Sequence, residues 1–326
     1  MKKGYFIFLV LIGLLLTTAG LIFFLFLGPG KSSEKERFVI SLETSEEKII
    51  ESLKDKGFLK SKKIFNLILT LKGWHGKIQP GGYLIAGKMN AYELAKTLLA
   101  GPYQKWLLVP PGKRKEQVAL TLQKTLGWSD GIAQSFLLVA EEGYLFPDTY
   151  LINVDADPQE VVNKLRANFN EKFDAQLQKD LLSQNVRNDT AIKIASLIER
   201  ESGGEADKAI IAGIIWNRLN QDMKLEIDAT VQYAITTENL KTNPNLEDFW
   251  QFLPRGLVRK IDSPYNTYLH KGLPPGPICS PGLAAIKAAV YPAKTDALYY
   301  LHSLDRQIHT AKTFKEHQEN IKKYLE

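Results

Sequence analysis

A single cysteine, Cys279, is all the thiol chemistry that this chain of 326 residues holds. One thiol excludes an intramolecular disulfide and any cysteine-built zinc site. The five histidines, His75, His270, His302, His309 and His317, fall in no H-E-x-x-H or other metal-ligand spacing. No G-x-S-x-G elbow and no glycine-rich phosphate loop occur, so serine-nucleophile and nucleotide chemistry have no warrant, and Gly203-Gly204 reads as a break between helices. Internal repeats and low-complexity tracts are missing too. The net charge of +6 is not gathered into a Lys/Arg stripe, which argues against nucleic acid as a partner and suits an anionic wall polymer or lipid headgroups. No metal and no cofactor are expected.

One long apolar run is present. Tyr5 to Leu27 carry no charge, and as a helix they would extend roughly 34 Å, enough for a hydrocarbon layer of about 30 Å. The run exceeds a typical signal-peptide core, and "FLFLGPGKSS" offers no A-x-A-like cleavage site, so an uncleaved anchor is expected. Lys2 and Lys3 give a mild bias towards residues 1–4 inside the cell, 5–27 as the single membrane span and everything later outside. Residues 28–36 are too polar to bury and read as a linker.

Residues 37–102 read strand, helix, helix, strand, helix. "TSEEKIIESLKDKG" carries Thr44 three residues before Glu47 as a capping box, Ile49, Ile50 and Leu53 on one face, and Gly57 as a stop. "NAYELAKTLLAG" repeats the device with Asn90 and Glu93. A larger region, 103–326, opens with a strand at Trp106 to Val109 and a Pro-Pro-Gly turn. Helices are expected near Lys115 to Thr125, Asp130 to Ala140, Asp157 to Lys179, Thr190 to Glu201 and Ala206 to Leu219. Another should start at Ser280-Pro281, and a strand pair at "ALYYLHSL" and "IHTAK" should precede a final helix capped by Thr313 and Glu316. Strands and helices do not alternate regularly, so the fold class expected is α+β.

The helix "DTAIKIASLIERESGG" is the most informative stretch. Ile194, Leu197 and Ile198 anchor it, while Glu199 shares a face with Ala195 and Ser196, whose small side chains leave a shallow surface for a bulky substrate. A carboxyl part-buried among Ile and Leu is a candidate acid/base. A plain ion pair with Arg200 or a helix partner is the alternative, and Glu201 is a rival carboxylate on a different face. "KLEIDATVQYA" places Asp228 as an expected helix cap, followed by Thr230, Gln232 and Tyr233. "SPYNTYLHKGLPPGPICSPG" sets Tyr265, Asn266 and Tyr268 before a stiff proline-rich run that could equally be a structural connection.

Taken in order, "EEGYLFPDTY", "IASLIERES", "IIWNRL", "LEIDATVQYA", "PYNTY", "GLPPGPICSPGLAAIKAAVYPAKTDALYY" and "KTFKEHQENIKKYL" resemble the endolytic murein transglycosylase, or YceG-like, family. The resemblance implies that 37–102 is a LysM-like module and 103–326 a YceG-like catalytic domain. It implies a lyase-type enzyme of the bacterial cell membrane that cuts peptidoglycan strands between N-acetylmuramic acid and N-acetylglucosamine, leaving 1,6-anhydro ends and stopping strand elongation. Association with peptidoglycan synthases is likewise implied. Glu199 matches the family's catalytic glutamate, and Asn217, Asp228, Thr230, Gln232, Tyr265, Asn266 and Tyr268 become candidates for the sugar groove. The sequence departs from the family pattern at Glu141 and Ala229, outside the Glu199 helix. Two other readings stay open: a hydrolase using Asp228 or Asp148 to activate water, and a scaffold that binds glycan without cutting it.

Overall fold

The computed structural model describes residues 2–30, 32–243, 246, 248–254 and 256–326. Helix α1 (Lys2–Phe26) contains Gly4–Phe26, a stretch with a mean hydropathy of 2.7 that is long and apolar enough to cross a membrane. The chain then divides into two compact units. The first comprises Met1–Leu107 with Thr149–Ala156, and the second Leu108–Asp148 with Asp157–Glu326.

In the first unit β1 (Glu36–Ile40), α2 (Glu46–Asp55), α3 (Lys62–Lys72), β2 (Gly81–Ile85), α4 (Ala91–Leu99) and β3 (Gln104–Val109) follow in turn. A later strand, β4 (Asp148–Asn153), returns to complete a four-stranded sheet of order β1-β2-β3-β4. β1 runs antiparallel to β2, with Phe38 opposite Tyr83. Leu53, Phe65, Leu69, Leu94 and Leu98 are fully buried beside this sheet, each contributing about 1.5–3 kcal/mol through removal from water. The Asn90–Glu93 capping box forms in both directions. At α2 the cap is Ser45, not Thr44, because Glu43 takes the left-handed turn at φ +60° and shifts the helix start by one residue.

The second unit is built around one buried helix. Its elements are α5 (Lys115–Leu126), α6 (Asp130–Val139), α7 (Pro158–Lys172), α8 (Ala175–Ser183), α9 (Asn188–Glu201), α10 (Lys208–Asn220), α11 (Asp228–Thr242), α12 (Leu283–Val290), the antiparallel pair β5 (Tyr299–His302) and β6 (Ile308–Ala311), and α13 (Phe314–Tyr324). Ala191, Ile192, Ile194, Ala195, Leu197 and Ile198 of α9 are all fully buried, and one core joins them to Ile211 and Ile215 of α10 and Ile286 of α12. Such all-round burial holds the end of α9 in place.

Three further local expectations need correction. The single helix expected over Asp157 to Lys179 is two, because the Asp174 side chain accepts from Leu177 N at 2.9 Å and starts a new helix. Asp228 opens α11 rather than capping it; Ile227 is the cap, and the Asp228 carboxylate is engaged elsewhere. The helix expected from Ser280 begins at Leu283, because Ser280 bonds through its backbone to the Pro-Pro-Gly turn and stays extended.

Candidate active site

The α9 helix ends at Ser202, which leaves the helical region at φ −74°, ψ 134°, so Glu199 lies in the last turn of a buried element. Ser196 ties the next wall to it. Its hydroxyl, bonded back to Lys193 O, accepts Ile278 N at 3.1 Å, while its carbonyl accepts Cys279 Sγ at 3.3 Å. The Pro-Pro-Gly turn then zips onto the same strand-like segment, with Gly112 N donating to Ser280 O at 2.9 Å and Ser280 N to Lys113 O at 2.8 Å. Three stretches far apart in sequence therefore meet at Glu199.

The Glu199 carboxylate is held from two sides. Gly282 N, at the start of α12, donates to Oε2 at 3.0 Å. Lys208 Nζ, on the first residue of α10, lies 3.2 Å from Oε1 and 3.5 Å from Oε2. The two side chains are only 9% and 10% exposed, so this is a buried ion pair. Glu199 does have an ionic partner; of Arg200 and a partner on another helix, it is the second, Lys208 of α10. Successive helical residues point about 100° apart, and Arg200 turns instead onto the Trp250 ring, 4.0 Å from its centroid. Gly112, at φ +77°, borders both: a Cβ built there would lie 3.3 Å from Arg200 Nη1 and 3.8 Å from Glu199 Cγ. A bare glycine leaves the carboxyl and the guanidinium beside a stretch of wall with no side chain.

A cavity of about 300 Å³ is lined by Glu201, Asp228, Tyr268, Tyr299 and Tyr300 among others. The Tyr268 hydroxyl donates to Asp228 Oδ1 at 2.7 Å, and the Tyr300 hydroxyl to Glu201 Oε2 at 2.7 Å. Burial, with the neighbouring Asp228 charge adding to it, pushes the Glu201 carboxyl above its ordinary range. Burial likewise raises Tyr268, as does its bond to Asp228. Aromatic faces, hydroxyls and carboxyls in one cavity are the groups that bind sugar rings and their hydroxyls.

The other groove candidates are engaged mainly with protein. Asn217 donates to Thr295 O and Ala297 O at 2.8 and 3.0 Å. Thr230 is fully buried and meets Ile227 O and the Thr267 hydroxyl. Asn266, also fully buried, donates to Val258 O and Ile261 O at 2.7 Å each and accepts Tyr268 N at 2.9 Å. Gln232 donates to Gln251 O at 3.0 Å. Tyr265 packs against Tyr233, ring centroids 4.7 Å apart. Asp148 bonds to Asn168 at 2.8 Å from the exposed start of β4.

Sequence reasoning did not find Lys208, Gly282 or Glu142. Glu142 receives Lys115 N on both oxygens at 3.3 Å, and burial together with the Glu116 charge pushes its carboxyl up to about 8. Beside it Arg114, fully buried, is saturated by Glu116, Tyr233 O and the Thr237 hydroxyl. The invisible signal for Lys208 was the reversal of the chain at Gly203-Gly204, which returns α10 past the end of α9; spacing alone does not report that return.

Among the described residues no group of three or more His, Cys, Asp or Glu side chains could hold a metal ion. The arrangement is that of a buried carboxyl held between an ammonium and a backbone N–H, in a unit that follows an apolar helix. Residues 38–323 match the YceG-like family, and the chain belongs to it. It is 29% identical over 305 residues to a Bacillus subtilis (strain 168) protein named endolytic murein transglycosylase, covering 84% of this chain and 80% of that one. A Streptococcus pneumoniae (serotype 2, strain D39) protein of the same name is 27% identical over 315 residues; 84% of this chain is matched, which spans 55% of that longer protein. The crystal structure of a yceG-like protein from Listeria monocytogenes superposes with a TM-score of 0.57 at 25% identity, covering 88% of this chain and 99% of that one.

Proposed function

We propose that this protein is a membrane-anchored, lyase-type peptidoglycan lytic transglycosylase that cuts nascent glycan strands from within, with Glu199 as its general acid and base. The observation that carries the reading is the Glu199 carboxyl, 9% exposed, between Lys208 and Gly282 N. The names of the relatives from Bacillus and Streptococcus support the substrate class. In this reading α1 is a single anchor in the bacterial cell membrane, and the two compact units work outside the cytoplasm, the first as a LysM-like module over 37–102 and the second as the main part of a catalytic domain over 103–326.

Protonated Glu199 gives its proton to the oxygen that leaves N-acetylmuramic acid. The carboxylate left behind is stabilised by Lys208 and aimed by Gly282 N, and in that state it takes the proton from the 6-hydroxyl of the same sugar. That oxygen closes on the anomeric carbon, giving a 1,6-anhydro end and a strand that can no longer be extended there. Because the nucleophile belongs to the reacting ring, its effective concentration is high and no second carboxylate is needed to hold a water. Asp228 and Tyr268 line the groove for neighbouring sugars. Asn217, Thr230, Gln232, Tyr265 and Asn266 keep its walls in register.

Incubation of the purified chain with uncrosslinked strands, followed by mass analysis, tests the reading. Anhydro ends are expected from the wild type, and a loss of about 10²–10⁴-fold in Glu199→Gln. Ends heavier by one water, labelled from ¹⁸O solvent, would establish hydrolysis instead. Asp228 or the buried Glu201 would then be the water-activating group to test. Strand binding with no cleavage would leave the scaffold role.

A further inference from the structure

We propose that, with α1 as the membrane anchor of the reading above, the outward face of α3 lies on the same bilayer and binds its anionic phospholipid headgroups. The first unit is fastened directly to the end of the apolar helix. α3 packs against α1, and Phe26, the last residue of α1, joins Ile64 and Ile68 of α3 against the core of that unit. The chain beyond α1 is strapped down as well. Gly30 N donates to Gly87 O at 2.8 Å, and Lys88 N donates to Ser32 O at 3.1 Å. A Cβ built at Gly28 would lie 2.5 Å from the carbonyl carbon of Lys88, so only a residue without a side chain fits there. A free tether would let the first unit drift from the bilayer; these contacts keep it at the end of the span.

The depth of α3 follows from Lys60, two residues before the helix. Its ammonium lies 3.3 Å from Phe24 O and 4.0 Å from the centre of the Phe24 ring. Phe24 is two residues inside the end of the apolar stretch Gly4–Phe26, about 3 Å along the helix axis. Lysine stems near the ends of membrane helices run along apolar surface and hold their ammonium groups at headgroup level. Lys60 therefore marks the edge of the lipid, and the start of α3 lies at that edge.

The face that α3 turns outward has the chemistry of this boundary. Lys63, Leu67 and Leu71 are four residues apart and share one exposed side of the helix. Leu67 and Leu71 are 51% and 74% exposed, while Phe65 and Leu69 on the opposite side are fully buried. Residues 54–72 contain Lys54, Lys56, Lys60, Lys62, Lys63 and Lys72 against a single acid, Asp55, in a chain whose basic residues outnumber the acidic ones only 42 to 36. Of these lysines, Lys62 is paired with Glu51 at 2.7 Å. Leucines bordered by lysines on one helical face suit a helix lying in a bilayer interface, with the apolar side chains at the acyl boundary and the ammonium groups among lipid phosphates. Sugar rings stack on aromatic faces, and this face offers leucines and lysines instead, so glycan is the poorer occupant.

The test uses the full chain in nanodiscs of phosphatidylcholine alone and of phosphatidylcholine mixed with phosphatidylglycerol. Nitroxide labels are placed at Leu67→Cys and Leu71→Cys, and wild type treated in parallel corrects for the buried Cys279. With phosphatidylglycerol present, lipid-soluble oxygen should reach both labels more readily than a water-soluble nickel chelate does. A lysine beside an anionic surface favours the bound state by about fivefold. Lys63→Gln should lower the ratio of docked to free α3 by that factor in the anionic discs and change it little in phosphatidylcholine alone. Amide hydrogen exchange of the unlabelled chain should slow in α3 with the same lipid dependence, which frees the result from any effect of the label. Labels that stay open to the nickel chelate, lipid contact indifferent to phosphatidylglycerol and to Lys63, or cover that appears only when uncrosslinked glycan is added would each overturn the proposal. Failure of the anchor reading has its own sign: a label at Leu15→Cys, in the middle of α1, would be reached by the nickel chelate.

Discussion

Replacing Lys208 with methionine removes the cation from an ion pair whose two side chains are 10% and 9% exposed. The carboxylate then keeps one strong partner, Gly282 N at 3.0 Å on Oε2, while Oε1 loses the donor that stood 3.2 Å away. Breaking a buried pair by removing one member costs about 3–5 kcal/mol. The retained N–H bond and the volume-matched methionine put the expected loss at the lower end, about 3 kcal/mol. For a unit of this size that lowers Tm by roughly 6–12 °C. Glu199→Gln leaves the converse defect, an ammonium buried without an anion, and should cost a similar amount. The double variant carries neither isolated charge. Its loss should fall short of the sum of the singles by at least about 1.5 kcal/mol, within the range found for directly coupled residues. Denaturant unfolding of all four proteins measures the cycle, and strand cleavage by Lys208→Met, expected to fall with the stabilisation of the Glu199 carboxylate, is read alongside. Additivity within about 0.5 kcal/mol would show that the pair is not coupled and would refute the charge-stabilisation argument.

Three further outcomes are expected. Asn266→Ala should destabilise the second unit by about 2–4 kcal/mol, since one buried and two part-buried hydrogen-bonding groups lose their partner; unchanged unfolding would return Asn266 to direct sugar contact. Gly112→Ala should cost about 1–2 kcal/mol, because its φ of +77° disfavours a side chain, and should displace Arg200 from 3.3 Å contact with the new Cβ; normal stability and normal strand binding would contradict that. Glu142, with its folded-state carboxyl raised to about 8 from 4.5, binds its proton more tightly folded than unfolded. Its contribution to stability is therefore full below about 4.5 and lost as pH rises towards 8, and with about 1.4 kcal/mol per unit the total is at most a few kcal/mol. Glu142→Gln should flatten that slope when denaturation midpoints are compared at the two ends of the window; an unaltered slope would locate the titration elsewhere.

Much of the scaffold was legible because its signals are local. The apolar run from Tyr5 to Leu27, the Asn90–Glu93 and Thr313–Glu316 caps and the 3.6-residue spacing of Ile194, Leu197 and Ile198 each depend on neighbours within a turn or two. The same locality explains the misreadings: Asp174 restarted a helix inside a continuous helical pattern, and Ser280 stayed extended because a turn about 170 residues earlier claimed its backbone. The family, and Glu199 as its candidate carboxyl, could be named from ordered motifs alone. Sequence by itself thus determined the chemical kind of the candidate site, a carboxyl on an apolar-faced helix in an α+β chain with one helix long and apolar enough to cross a membrane, since residue type and helical period are carried by the chain directly. Only the tertiary structure decided its electrostatics: that Lys208 pairs with Glu199 while Arg200 turns onto Trp250, and that the Asn266 amide is held by backbone carbonyls. Those outcomes depend on which distant segments come within about 3 Å of one another, and charge interactions and hydrogen bonds are decided at that distance.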